Sequence, residues 1–584
     1  MLALDKEMNQ ARKSPWLPTA KKEVEQLGWD QLDVILFTGD SYVDHPSFGI
    51  AVIGRVLESM GLKVAIVPQP NWQDDLRDFK KLGRPRLFFG LSSGNMDSMI
   101  NHYTANKRLR SDDAYTAGDK AGFRPDYATT VYSKILKSIY PDVPVIIGGI
   151  EASLRRFTHY DYWSDTLRKP ILVDTQADLL VYGMGERAIR EIATAFINGD
   201  KLEDMHLIPQ TAYISREAVT PVDGFEDIII ASYDQCMADK KLFATTFRTI
   251  EEESNKMRSK RLIEPLEDGF LVVNPTQRLM STEELDAVYS LPFTRLPHPR
   301  YYKKGNIPAY EMIKFSVNIH RGCFGGCSFC TISAHQGKFI TSRSTTSIMD
   351  ELSKLSMMSD FKGNITDLGG PSANMYQMQG KDLDICKQCK RPSCTWPKIC
   401  PNLNTDHTAL NDLYKKVREL PYIKKATVGS GIRLDLLNNE NESSRIYKNN
   451  LIKYHVSGRL KVAPEHTNDN VLFMMRKPPM AIFKKFHQEF TKINTENNLR
   501  QQLIPYFISS HPGCTIDDMR DLASEMKSMN IQLEQVQDFT PTPMTVSSVT
   551  YYTGIDPYTL KPVFSEKVKE KKLAQKETFF WKKR

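Results

Sequence analysis

The chain has 584 residues, 25% of them charged and 41% apolar, with a net charge of +8. That length exceeds one ordinary core, and the composition excludes a disordered chain or a small disulfide framework. No run of about eighteen apolar residues is present, and the opening MLALDKEMNQARKSPW lacks the apolar centre of a secretory signal, so the expected compartment is the cytoplasm, with no membrane contact.

From Asp33 the chain alternates between strand and helix patterns. Strands are expected at Asp33–Phe37, Lys63–Val67, Arg86–Leu91, Val143–Ile147 and Asp178–Tyr182, with helices at Phe48–Met60, Asp126–Ile139 and from Glu186. Such alternation argues for a doubly wound parallel sheet, whose ligands bind at the carboxyl ends of the strands. Those ends carry Thr38-Gly-Asp, Gly148-Gly149 and Gly183-Met-Gly-Glu186, but no G-x-G-x-x-G follows a strand. This predicts an N-terminal Rossmann-like domain over residues 1–200.

The loop after the first strand holds Asp44-His45-Pro-Ser-Phe-Gly49. It resembles the Asp-x-His-x-x-Gly motif of cobalamin-binding domains, which implies a cobalamin site with His45 on cobalt. Here the Asp is adjacent to the His and the glycine stands one residue farther on. That departure favours a loop-shaping role for Asp44 and His45, in a domain that keeps the fold without the cofactor.

Residues 107–124 form a polar stretch of mixed charge, expected as an exposed excursion or lid. Residues 201–305 read as a connecting region. Asp234–Lys260 has helical composition, Ser281-Thr-Glu-Glu opens a helix, and Leu296-Pro-His-Pro-Arg300 is a linker. Cys236, alone there, is an ordinary partly buried thiol.

A second alternation starts at Phe315. Strands are expected at Phe315–Ile319, Ile365–Leu368, Ala426–Val428, Leu460–Val462, Gln502–Phe507 and Gln532–Phe539. Ile348, Leu352, Leu355 and Met358 share one helical face, as do Ile482, Phe486, Phe490 and Ile493. Six strand–helix units suit a partial (β/α)6 barrel over residues 306–545, with its chemistry at the carboxyl strand ends. On the loop leaving the first of these strands stand Cys323, Cys327 and Cys330, spaced C-x3-C-x2-C. Three thiolates on one glycine-rich loop indicate a metal centre. An iron–sulfur cluster takes about one thiolate per iron, so three would leave one iron open. The alternatives are zinc, with His320 or His335 as a further ligand, or a disulfide-bonded turn. Later strand ends carry Gly369-Gly370, Arg433, Glu465-His466 and His511. Each could face a substrate or make a structural hydrogen bond.

Cys386, Cys389, Cys394 and Cys400 form a second group within an insertion at 386–400, a full set for structural zinc or an auxiliary iron–sulfur cluster. Seven of nine cysteines in two clusters favour metal over disulfides. From Lys561 to Arg584 nine Lys or Arg face three Glu. The basic tail, 546–584, is therefore a candidate nucleic-acid contact, although such tails are more often solvated ends.

The Cys323–Cys330 loop, with Phe329 before its third cysteine, resembles the signature of radical S-adenosylmethionine (SAM) enzymes. DHPSFGIAVIGR, IIGGIEASLRRF, HRGCFGGCSFC, LKVAPEHT and QDFTPTPMT are similar to the YgiQ-type group, from about Asp33 to Thr545. The resemblance implies a [4Fe-4S] cluster on Cys323, Cys327 and Cys330 and SAM bound at Gly369 and Gly370, with Phe329 near the adenine. It implies reductive cleavage of SAM to a 5′-deoxyadenosyl radical, with an electron donor such as flavodoxin or ferredoxin. It leaves the substrate open. A metal-stabilised nucleic-acid-binding protein and a cobalamin-dependent radical SAM methyltransferase are the alternative readings. The absence of cysteine before Cys236 argues against methylthiotransferases, which carry a second cluster in an N-terminal domain.

Overall fold

The computed structural model describes residues 14–438, 441–531 and 535–579. Its N-terminal half is built on a nine-stranded sheet. In chain order the strands of this half are β1 (Val34–Thr38), β2 (Val64–Pro68), β3 (Phe88–Ser92), β4 (Val145–Ile147), the separate hairpin β5 (His159–Asp161) and β6 (Thr166–Arg168), β7 (Leu179–Val181), β8 (Thr211–Ser215), β9 (Asp227–Ile229), β10 (Arg261–Leu266) and β11 (Gly269–Val273). The order across the sheet is β2-β1-β3-β4-β7-β8-β11-β10-β9. Strands β2 to β7 of that order are parallel, as the alternation predicts. Along β1, Val34 and Leu36 enter one apolar core and Ile35 and Phe37 the other, so both faces are covered by helices.

The stretch read as a connecting region does more than connect. Its strands β8, β10 and β11 join antiparallel to their neighbours, with β9 parallel to β10, so the sheet is mixed rather than purely parallel. The expected helical run at Asp234–Lys260 is two helices, Tyr233–Ala238 and Lys240–Ser254. Ser281 caps the helix Thr282–Ser290 by accepting from the Glu284 N–H, the reciprocal arrangement that S-T-E-E encodes.

The C-terminal half has six parallel strand positions: β12 (Ser316–Asn318), with the small pair β13 (His320–Arg321) and β14 (Thr341–Ser342) beyond it; β15 and β16 (Asn364–Ile365 and Asp367–Gly369); β17 (Lys425–Ala426); β18 (Arg459–Glu465); β19 (Gln502–Ser509); and β20 (Gln535–Asp538). Each expected strand is found; residues 532–534 of the sixth lie outside the described residues. The whole is an α/β protein with a Rossmann-like sheet followed by a partial barrel.

The halves are joined by buried ion pairs. Arg295 pairs with Glu351, Arg321 with Glu186, and Arg476 holds Glu251 with two bonds of 2.7 and 3.0 Å. Single removal of such partners typically costs about 3–5 kcal/mol, because the survivor is left charged and buried. The basic tail is not a loose solvated end over its described part. Helix Val546–Thr553 packs Val546, Val549 and Tyr551 against Tyr160 and Phe243 of the N-terminal half. Farther on, Lys572 is buried with its Nζ donating to the Tyr162 hydroxyl, and Gln575 accepts from the Ser510 N–H.

Candidate metal centre

The cysteine loop leaves the carboxyl end of β12 and is pinned along its length. Cys323 N–H donates to the Gly337 carbonyl, Ser328 N–H to Met475, Ser328 Oγ to Met474, and Ser547 N–H to the Ser328 carbonyl. Gly322 and Gly326 have φ of +85° and +58°, and a Cβ at Gly326 would collide with the Pro392 carbonyl. The loop therefore turns flush against the cysteine-rich insertion.

The three sulfurs share one charged environment. Arg433 Nη1 donates to Cys327 Sγ at 3.3 Å, while its Nε and Nη2 hold Asp435 and Nη2 also reaches Thr395 Oγ1. Burial works against the Arg433 charge, but Asp435 and Cys327 outweigh it and keep the guanidinium protonated. Burial pushes the Cys323 thiol up to about 11 and Cys330 up to about 12, each raised further by Cys327. Lys477 and Arg433 oppose the shift at Cys323. Deprotonation of these thiols therefore needs a compensating cation, which a bound metal would supply. Among the described residues no three His, Cys, Asp or Glu side chains converge on a point that one ion would fill.

The other candidates divide. Glu465 is buried at the loop, with φ of +72°, 3.8 Å from Lys477 Nζ, and burial raises its carboxyl above the usual range. His466 and His511 instead make structural bonds: His466 Nδ1 accepts from Asn468 N–H, and His511 bridges the Pro512 carbonyl and Ser547 Oγ. Phe329 lies edge-on to the His511 ring, centroids 6.0 Å apart. Gly369 accepts from the Ile319 N–H, and Gly370 lies against His320, whose ring a Cβ there would meet at 2.5 Å. Sequence reasoning did not find Lys477, nor the contact of Arg433 with a cysteine 106 residues earlier. His320, buried against Gly370, was noticed only as a zinc ligand; burial lowers its pKa to about 3.

A cavity of about 500 Å³ opens between the halves, lined by strand-end residues Ser92, Gly94, Gly148 and Gly183 on one side and by His320 and Gly370 on the other. It lies where the chain order of the parallel strands reverses, between β1 and β3, the expected ligand position for such a sheet. Its lining includes Pro46, Ser47 and Gly49 but not His45. Asp44 is held by Arg55 and by Thr294 N–H, and His45 Nδ1 accepts from Ser47 N–H. These two residues shape the loop.

Residues 16–316 match the family model described as Radical SAM N-terminal. A UPF0313 protein of Bacteroides thetaiotaomicron is 60% identical, over 98% of this chain and 95% of the relative. UPF0313 protein YgiQ of Salmonella typhimurium is 43% identical, over 93% of this chain and 82% of its own. Among solved structures, the radical SAM methyltransferase TsrM from Kitasatospora setae, with cobalamin and a [4Fe-4S] cluster bound, is 16% identical with a TM-score of 0.49, covering 88% of this chain and 74% of that one. Identity of this order along nine-tenths of the sequence settles the family: the chain belongs to UPF0313, the YgiQ-type group of radical SAM enzymes.

Proposed function

We propose that the chain holds a [4Fe-4S] cluster on Cys323, Cys327 and Cys330 and uses it to cleave SAM reductively, opening radical chemistry on a substrate not yet identified. The observation that carries this is the donor set: three cysteines on one pinned strand-end loop, with Arg433 bonded to the middle sulfur and Lys477 beside the loop. The residues fit such a cluster: three thiolates would hold three of its four irons, with buried Arg433 bonded to Cys327 and partly buried Lys477 beside the loop. When bound, the cluster would supply an open iron for the amino and carboxylate groups of SAM and the electron that breaks its sulfonium C–S bond.

The chain's own residues then position and enclose. Arg433 fixes Cys327, and Ser328 and Ser547 fix the turn between Cys327 and Cys330. The Gly369 carbonyl accepts from Ile319 N–H with one lone pair, and its other lone pair and the backbone of Gly370 would receive an amino group. Phe329, braced by His511, offers a face to an adenine. The Arg321–Glu186 pair closes the N-terminal half over the site, excluding water from reactive intermediates. The electron would come from a flavodoxin- or ferredoxin-type carrier.

The test is anaerobic reconstitution with iron and sulfide, followed by dithionite and SAM. Release of 5′-deoxyadenosine is expected. Intact cluster with bound SAM and no cleavage over hours would count against the reading.

The large cavity supports a second organic ligand on the N-terminal sheet. Cobalamin is one such ligand, and since His45 does not line the cavity it would bind without a histidine from that loop. Equilibrium dialysis of hydroxocobalamin against the full chain decides it; no retention at micromolar protein removes the reading. The packed C-terminal helix, with Lys572 and Lys576 engaged by Tyr162 and Asp538, adds nothing to the nucleic-acid reading.

A further inference from the structure

The four cysteines of the insertion lie against the first cysteine loop. Cys394 N–H donates to the Phe324 carbonyl at 2.9 Å, and Phe324 follows Cys323 in the chain. Ser393 Oγ donates to the Gly325 carbonyl at 2.7 Å, and Arg433 touches Cys327 with one nitrogen and Thr395 with another. Phe324 sits at the centre of a small apolar cluster that Cys323, Cys394 and Cys400 all border. One hydrogen bond therefore separates the backbone of the second group from that of the first.

Three of the four cysteines of the second group also border a space. Cys386, Cys394 and Cys400 line a cavity of about 60 Å³ together with Phe324 and Lys338. A water needs only about 10–15 Å³ by such a measure, so the cavity admits a group several atoms across. One zinc ion in contact with four sulfurs at about 2.3 Å would need no such room. Lys338 is 1% exposed, an almost fully buried cation. Its Nζ donates to the Arg391 carbonyl at 2.8 Å and stands 4.0 Å from Cys389 Sγ, and Asn402 Nδ2 donates to Cys386 Sγ at 3.4 Å. A buried lysine among four thiols is costly unless anionic sulfur faces it. Outside the cavity, exposed Leu383 and Ile385 precede Cys386 and alternate with exposed Asp382 and Asp384, while Lys381, Lys390 and Lys398 are exposed nearby and leave the rim net basic.

We infer that Cys386, Cys389, Cys394 and Cys400 hold a second iron–sulfur cluster, and that it is where electrons enter the protein. A one-electron carrier of the reduced ferredoxin or flavodoxin class docks on the apolar and basic rim. It gives one electron to this cluster and leaves oxidised by one electron. The same electron then passes across the Phe324–Cys394 contact to the cluster on Cys323, Cys327 and Cys330, returning the second cluster to its oxidised state. The binding site stands on its own residues; the relay rests on the function proposed above.

Two measurements on the full chain, purified anaerobically and reconstituted, test the two parts separately. Iron and acid-labile sulfide are counted for the wild type, for the triple variant Cys323→Ala, Cys327→Ala, Cys330→Ala, and for Cys386→Ser with Cys400→Ser. About eight irons are expected for the wild type and about four for either variant if both centres are four-iron clusters. Iron retained by the triple variant supports the second site even if the first assignment fails. About one zinc and no iron in the triple variant would overturn it. Should the serine variant not fold, Lys338→Met keeps every cysteine; loss of the buried cation is expected to lower the potential of the second centre alone, and an unchanged potential would count against the site. For the relay, SAM cleavage driven by reduced flavodoxin is divided by cleavage driven by dithionite. The Cys386→Ser, Cys400→Ser variant is expected to lower that ratio by an order of magnitude, and a ratio equal to wild type would overturn the relay.

Discussion

The two cysteine groups touch, yet they are built differently. The Cys323–Cys330 loop carries three cysteines, hangs from a barrel strand, and takes its electrostatic support from Arg433 and Lys477, which arrive from distant segments. The 386–400 insertion carries four cysteines and is braced within its own loop and by Lys338, with exposed residues on its outer side. The difference underlies the two proposals: three cysteines at a strand end would leave one iron of a four-iron cluster open, whereas four cysteines between that loop and the surface would saturate theirs.

The strongest way to break the comparison is to remove one side of it. Replacing Cys323, Cys327 and Cys330 by alanine should reduce 5′-deoxyadenosine formation to the background of the reagents. Loss of the second group should leave cleavage with dithionite measurable. Equal loss from either change would make the two groups one functional unit.

Arg433→Met is the next largest effect. It strands Asp435 in a buried site and should cost about 3–5 kcal/mol of unfolding free energy. Chemical denaturation measures this, and the double variant Arg433→Met, Asp435→Asn should recover a good part of it. The cluster spectrum should shift for the first centre in both variants, because the N–H donor to Cys327 is gone in both.

Gly326→Ala attacks the seam itself. The left-handed φ and the collision with Pro392 together should cost about 1–3 kcal/mol in strain and loosen the insertion from the loop. Limited proteolysis within 386–400 should speed up. A variant as resistant as wild type would mean the seam does not need glycine.

Ser547→Ala should be mildest. It removes two buried hydrogen bonds, to Ser328 Oγ and to His511 Nε2, each worth about 1 kcal/mol, and acts on the first loop and its His511 brace. A thermal shift of a few degrees with normal iron content is expected.

Much of this architecture was legible in the sequence, for identifiable reasons. The parallel strands of both halves are short, apolar and separated by amphipathic helices, so period and spacing both point one way. Strands β8 to β11 were missed because they extend the sheet mostly by antiparallel pairing, with β9 parallel at the edge, and that pairing depends on a sheet assembled elsewhere. Cys323, Cys327 and Cys330 could be read as a candidate centre because they lie close together in the chain. Arg433 was read as a strand-end candidate, but its contact with Cys327 and the place of Lys477 could not be, because proximity to a sulfur more than a hundred residues away is a property of the fold. The tail was judged by its charge, but burial of Lys572 against Tyr162 is decided by packing, which a charge count does not see.

The central claim is that the three-cysteine loop leaves one iron for SAM. It is tested most directly by electron–nuclear double resonance on the reduced protein with SAM labelled with 15N at its amino group, in the Cys386→Ser, Cys400→Ser background so that only the first centre contributes. A 15N hyperfine coupling that disappears when unlabelled SAM is substituted is the predicted result. A reduced cluster that shows no such coupling under saturating SAM would contradict the account.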